Sequence, residues 1–165
     1  MRKFLLKFLL TLSVFISLSN YSNSQIVISQ VYGGGGNSGA TYTHDFIELF
    51  NRGTSAVSIA GWSIQYTSSA GTTWQKTDLS GTLLPGQYYL IQQAQGAGGT
   101  TALPTPDVTG TIAMSGTNGK VVLLNVNTLI TAGTSCPSGV IVEDIVGFGS
   151  ANCFEGTGAT PVLSN

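Results

Sequence analysis

Asp45-Phe46-Ile47-Glu48-Leu49-Phe50-Asn51-Arg52-Gly53 is followed, after a polar turn and Val57, by Ala60-Gly61-Trp62-Ser63-Ile64. The first run alternates: Ile47 and Leu49 point one way, and Phe46, Glu48 and Phe50 the other. A period of two over six residues, closed by Asn-Arg-Gly, is the signature of a half-buried strand rather than a helix. The second run opens another strand, with Trp62, Ile64 and Tyr66 alternating with Gly61, Ser63 and Gln65.

The same period extends in both directions. Upstream, Ile26 to Tyr32 places Val27 and Val31 on one face and Ile26, Ile28 and Tyr32 on the other. Downstream, Leu84-Pro85-Gly86-Gln87 turns into a strand in which Tyr88 and Leu90 alternate with Tyr89 and Ile91. Further strands are expected at Ile112 to Met114, Lys120 to Leu124 and Val140 to Gly147. Asn118-Gly119 is placed for a tight turn, since both residues tolerate positive φ. No helical period with caps follows the first two dozen residues. The expectation is an all-β antiparallel sandwich of seven to nine strands. Its expected core holds Ile47, Leu49, Trp62, Ile64, Leu90 and Leu123. Gly33 to Thr43 and Gln95 to Pro106 read as long loops.

Residues 1–24 read as an address. Arg2, Lys3 and Lys7 precede an apolar run from Phe8 to Leu18, and Ser22 and Ser24 occupy −3 and −1 of a cut before Gln25. The run is short for a membrane span, so a signal peptide is expected rather than an uncleaved anchor. No cysteine lies near the cut, which argues against a lipoprotein. Export to a secreted or cell-surface position follows from this reading.

Without the leader, Arg52, Lys76 and Lys120 face seven acids, a formal charge of −4. Affinity for a phosphate backbone comes mainly from Lys and Arg, so direct nucleic-acid binding is not expected. The remaining ~140 residues make one domain, long enough to bury roughly two thirds of its unfolded surface. Cys136 and Cys153 are the only cysteines. In an oxidising compartment an even pair becomes a disulfide, which would add roughly 3 kcal/mol on the chain-entropy model. A metal site would need more ligands than these two and the lone His44.

The short motifs are weak. Gly34-Gly35-Gly36-Asn37-Ser38-Gly39 matches G-x-G-x-x-G but is not followed by the helix that receives a pyrophosphate. Gly116-Thr117-Asn118-Gly119-Lys120 fails as a P-loop for want of spacing and helix. His44-Asp45 juxtaposes imidazole and carboxylate without a nucleophile elbow, and reads as a solvated His at a strand entrance. Asp45, Glu48, Asp78, Asp107, Glu143, Asp144 and Glu155 could pair as acid and base, but nothing in the spacing selects two of them. Asp45 or Asp144 could hold calcium with loop carbonyls, although no D-x-D-x-D run supports it. Glu48 is expected to pair with Arg52 or Lys120. Among Trp62, Trp74, Tyr66, Tyr88 and Tyr89, Trp74 between Thr73 and Gln75 is the best candidate for an exposed, sugar-stacking ring, and Trp62 for the core. No catalytic, metal or cofactor-binding residue is expected.

Taken in order, Asp45 to Asn51, Gly61 to Ile64 and Leu84 to Leu90 resemble the lamin tail domain over roughly Gln25 to Gly149. The resemblance implies an immunoglobulin-like β-sandwich that binds and positions rather than catalyses. The domain is then expected at 25–149, with 150–165 as a truncated C-terminal segment. A narrower likeness lies in Ile28 to Asn37, Gly71-Thr72-Thr73-Trp74, Leu103 to Asp107 and Ala151 to Gly156. These resemble the N-terminal module of bacterial secreted endonucleases, which precedes a separate metal-dependent phosphodiesterase domain. The resemblance implies a continuation beyond Asn165, and no family catalytic residue carries over. Three functions are in view: an accessory or targeting module of an exported protein, a free-standing adhesion or glycan-binding domain, and an enzyme. Expected partners are a downstream catalytic domain, a cell-surface protein or a glycan.

Overall fold

A computed structural model describes residues 24–139 and 141–163, so the expected leader and the expected cut before Gln25 lie outside the described residues except for Ser24 and Gln25. Among the described residues ten strands and no helix occur. They are β1 (Ile26–Tyr32), β2 (His44–Asn51), β3 (Val57–Ser58), β4 (Ser63–Thr67), β5 (Gln75–Asp78), β6 (Thr82–Leu83), β7 (Tyr88–Gln95), β8 (Val108–Thr109), β9 (Gly119–Leu124) and β10 (Val142–Phe148). One four-stranded sheet runs β1-β2-β7-β8, a second runs β10-β9-β4-β5, and β3 pairs with β6. The fold is the expected immunoglobulin-like sandwich. Its strands exceed the expected seven to nine because three have only two residues, and β8 joins β7 in parallel.

The main core lies between the sheets and contains Ile26, Ile47, Leu49, Ile64, Tyr89, Ile91, Val121, Leu123 and Phe148. Alternation placed β2 correctly. In β1 it failed midway, because Ser29 is an extra residue: Ile28 faces Leu49 and Gln30 faces Glu48. The bulge flips the phase. Val31 therefore joins Ile28 on the core side, and Tyr32 moves to the outer face, opposite Phe46. In β7 the core half is Tyr89 and Ile91, not the half containing Leu90, which sits half-buried beside Glu48 on the outer face.

Three further expectations are corrected. Ile112 and Met114 are buried in the core without forming a strand; each carbonyl accepts one amide, from Ala94 and Gly34 respectively. Asn118-Gly119 does not make a positive-φ turn, since every described residue with positive φ is a glycine and Gly119 is not one of them. A Cβ on Gly119 would stand 2.6 Å from the Tyr66 ring and 2.7 Å from the Phe148 ring. Glycine is there so that two rings can close over the strand. The third correction concerns the tryptophans. Trp62 precedes β4 and is only partly buried against the main core. Trp74, expected outside, is 4% exposed.

What covers Trp74 is a second layer. Residues 125–138 lie across the outer face of the β10-β9-β4-β5 sheet. Ser63 Oγ donates to Val126 O at 2.7 Å and Gln65 Nε2 to Thr128 O at 2.8 Å, while Ile130 N donates to Gln65 Oε1 at 3.0 Å. Beneath this cover Trp74, Val122, Leu124 and Ile130 form a smaller core. All five residues of β4 are buried in consequence, polar and apolar alike. The expected disulfide is present: Cys136 and Cys153 are bonded, with Cα atoms 5.3 Å apart.

Candidate binding surface

The groups with chemistry to offer are spent largely on the fold. His44 and Asp45 are successive residues of a strand and therefore diverge. His44 Nδ1 lies 2.9 Å from Thr43 Oγ1. Asp45 turns inward, where Oδ1 accepts Gly35 N at 2.6 Å and Oδ2 accepts Met114 N at 2.6 Å. Burial pushes its carboxyl above the ordinary range, against the pull of the Met114 and Gly35 amides. The glycine run is occupied in the same way. Gly34 N donates to Met114 O and Gly36 N to Tyr42 O. A Cβ on Gly35 would stand 2.0 Å from the His44 carbonyl carbon. Its amides bind protein, and its glycines permit backbone to lie on backbone.

The other carboxylates are ties between segments. Glu48 Oε1 accepts Ser29 Oγ at 2.7 Å, and Glu143 joins Ser24 to Asn125. Asp107 Oδ2 accepts Leu90 N at 2.7 Å, anchoring the proline loop to β7. Among the described residues the ion pair is Lys76–Asp78 at 2.6 Å, so Glu48 does not make the pairing expected with Arg52 or Lys120. Asp144 accepts Ile28 N at 2.7 Å and Ile145 N at 2.8 Å. Both carboxylates considered for calcium thus have both oxygens engaged. Among the described residues no three His, Cys, Asp or Glu side chains gather as metal ligands.

Asp144 and Glu155 are the acids that the tertiary structure brings together. Glu155 faces the Asp144 carboxyl, whose two oxygens already accept the Ile28 and Ile145 amides. Burial, with the facing Glu155 carboxyl, pushes Asp144 up to about 6 despite the Ile28 amide. Asp144 and Asp45 therefore hold a proton more tightly folded than unfolded. Their contribution to stability is complete below the ordinary value of 3.8 and is lost as pH rises through the folded values, about 6 for Asp144. Stability should fall by roughly 1 kcal/mol between about pH 4 and pH 7, after discounting for solvent screening of Asp144. Denaturation at the two pH values tests this, and Asp144→Asn should flatten the trend. A rise in wild-type stability over that interval would contradict it.

The aromatic rings divide cleanly. Tyr66 and Tyr89 are buried, the first accepting Ser115 N and the second donating to Ser80 O. On the outer face of the β1-β2-β7-β8 sheet, cross-strand rows run Val27–Phe50–Tyr88, Gln30–Glu48–Leu90 and Tyr32–Phe46–Gln92. The last row is closed. Tyr32 stacks on Phe46 at 5.1 Å with Tyr42 edge-on to both, and Tyr32 Oη accepts the Thr41 and Tyr42 amides. The first two rows remain open. Phe50 and Tyr88 meet at 4.6 Å, Tyr88 is 55% exposed, and Leu84 on the turn entering β7 is 58% exposed. These three rows carry no Lys or Arg. Of the five aromatics singled out in the sequence, Tyr88 is the ring that reaches solvent on this face. Phe50 and Leu84 were missed as site residues, although alternation had already put Phe50 on the outer side.

A sandwich whose ionisable groups tie its own loops, and whose open sheet face carries aromatic and aliphatic side chains, is an immunoglobulin-like binding or accessory module. The lamin tail domain family matches residues 19–135, and the chain belongs to that family. No curated protein matches the chain significantly. Among the described residues no helix is long and apolar enough to cross a membrane.

Proposed function

We propose that this chain is a noncatalytic accessory or targeting module of an exported bacterial protein. Its contact surface is the open part of the β1-β2-β7-β8 face, centred on Phe50 and Tyr88. One observation carries the reading: the acids tie segments of the fold, whereas the exposed Tyr88 ring lies against a half-buried Phe50 on an open sheet face. Aromatic surface of this kind gives large contact area at low entropic cost. Export is supported by the leader-like residues 1–24 and by the Cys136–Cys153 bond, which persists in oxidising compartments. In this reading the module spans residues 25–149, with the segment after it fastened to the sandwich through Cys153 and Asn152, and the parent protein is an extracellular endonuclease with a separate metal-dependent domain.

Mature protein beginning at Gln25 should neither cleave DNA with added Mg2+ or Ca2+ nor bind it tightly at physiological salt. Its formal charge of −4 opposes phosphate. Degradation that tracks this segment through purification would sink the accessory-module reading. The Phe50–Tyr88 pair also favours a second reading, a free-standing adhesion or glycan-binding domain. A glycan array separates the two: binding lost in Tyr88→Ala at unchanged stability supports the second.

A further inference from the structure

Lys120 has no place in that reading. It sits on the outer side of β9 with Val122 and Leu124, while Val121 and Leu123 face the main core. The residue is 0% exposed. Burying an ammonium costs free energy unless its donors are met. All three are met, and none by a carboxylate. Nζ donates to Gly71 O at 2.9 Å, Ser135 O at 2.8 Å and Asn152 Oδ1 at 2.9 Å. The Trp74 ring lies beneath it at 5.5 Å.

Two of those acceptors belong to the residues that immediately precede the cysteines, Ser135 before Cys136 and Asn152 before Cys153. They are also joined to each other, Asn152 Nδ2 donating to Ser135 Oγ at 3.1 Å. Asn152 N donates to Ser69 O and Gly133 N to Thr72 O, so both cysteine-bearing segments are fastened to the turn after β4 as well. None of these bonds involves sulfur. The ammonium reaches its three acceptors only when the 69–72 turn, the 133–136 segment and the 152–153 segment are assembled together.

We infer that Lys120 is a positioning residue for the disulfide: its ammonium gathers the two cysteine-bearing segments and keeps Cys136 and Cys153 within bonding distance when they are reduced. The bond then closes from an assembled state. With oxidised glutathione as oxidant, one cysteine thiolate attacks a glutathione sulfur, forming a mixed disulfide and releasing one glutathione. The second cysteine thiolate attacks the protein sulfur of that mixed disulfide and releases the other. The two thiol protons leave, the two cysteines are oxidised, and one glutathione disulfide is reduced to two thiols. A clamp that holds the segments without the bond raises the effective concentration of one thiol at the other.

The test is the equilibrium of mature protein with reduced and oxidised glutathione, quenched by alkylation and read by mass. Lys120→Met is expected to lower the constant for disulfide formation by about tenfold or more, as loss of hydrogen bonds to a charged group implies. Should that variant fail to fold, Asn152→Ala decides. The residue is exposed, and truncating it cuts the tie between the ammonium and the Cys153 segment together with the bond to Ser135 Oγ. It should lower the constant by about tenfold, and Asn152→Asp, which keeps the acceptor, should restore it. A constant within about twofold of wild type in Asn152→Ala overturns the inference. So does a fall in melting temperature in either variant without a change in that constant.

Discussion

Trp74→Ala is expected to destabilise the domain by about 3–5 kcal/mol, the range for truncating a buried aromatic ring. The ring is 4% exposed among Val122, Leu124 and Ile130, and Nε1 donates to Thr134 O at 2.8 Å. Its loss opens a cavity, leaves the Thr134 carbonyl without that donor and removes the face on which the Lys120 ammonium rests. Trp62→Ala should cost about 1–2 kcal/mol, because that ring is partly solvated and only borders the main core. Urea denaturation with matched slopes measures both. If Trp62 proved the costlier truncation, residues 125–138 would not be seated over the sheet.

Asp45→Ala should cost about 2–4 kcal/mol. It strands two buried amides, those of Gly35 and Met114, which belong to loops far apart in sequence. Each unmet buried donor costs about 1–3 kcal/mol, partly offset because a poorly solvated carboxylate is removed as well. Asp45→Asn should fall between wild type and Ala, because one amide keeps an acceptor while the other meets an N–H. A loss below about 0.5 kcal/mol for Asp45→Ala would mean that the glycine loop is held by its own backbone bonds alone.

These two sites mark where reading the chain residue by residue stopped working. The period of two in Phe46 to Phe50 gave β2 its faces correctly, because both faces of that strand are set by nearest neighbours on the pleat. The same logic misassigned the end of β1, since a one-residue bulge at Ser29 reverses every later side chain and leaves no mark in composition. It chose the wrong half of β7, where Tyr88 and Leu90 are as apolar as Tyr89 and Ile91 and only the facing sheet decides between them.

The candidate surface was half legible. Tyr88 and the outer position of Phe50 followed from alternation, but their meeting at 4.6 Å needed the β2–β7 register, which lies in the pairing and not in either strand. The disulfide was legible because two thiols in a chain read as exported have one way to join. Lys120 was not, for a lysine beside a glycine and four apolar residues reads as a solvated charge wherever the strand's second face is taken to be open.

The sequence by itself determined the all-β class, the positions of the longer strands β1, β2, β4, β7, β9 and β10, and the family, all of which rest on local periodicity, turn chemistry and the order of short motifs. Only the tertiary structure decided that the second sheet has a covered outer face. That cover, residues 125–138, buried Trp74 and the outer side of β4, and it supplied Ser135 O, one of the three acceptors of Lys120. The physical reason is the range of the interactions. The two faces of a strand follow from side chains two apart, whereas burial depends on residues sixty positions away that no local pattern announces.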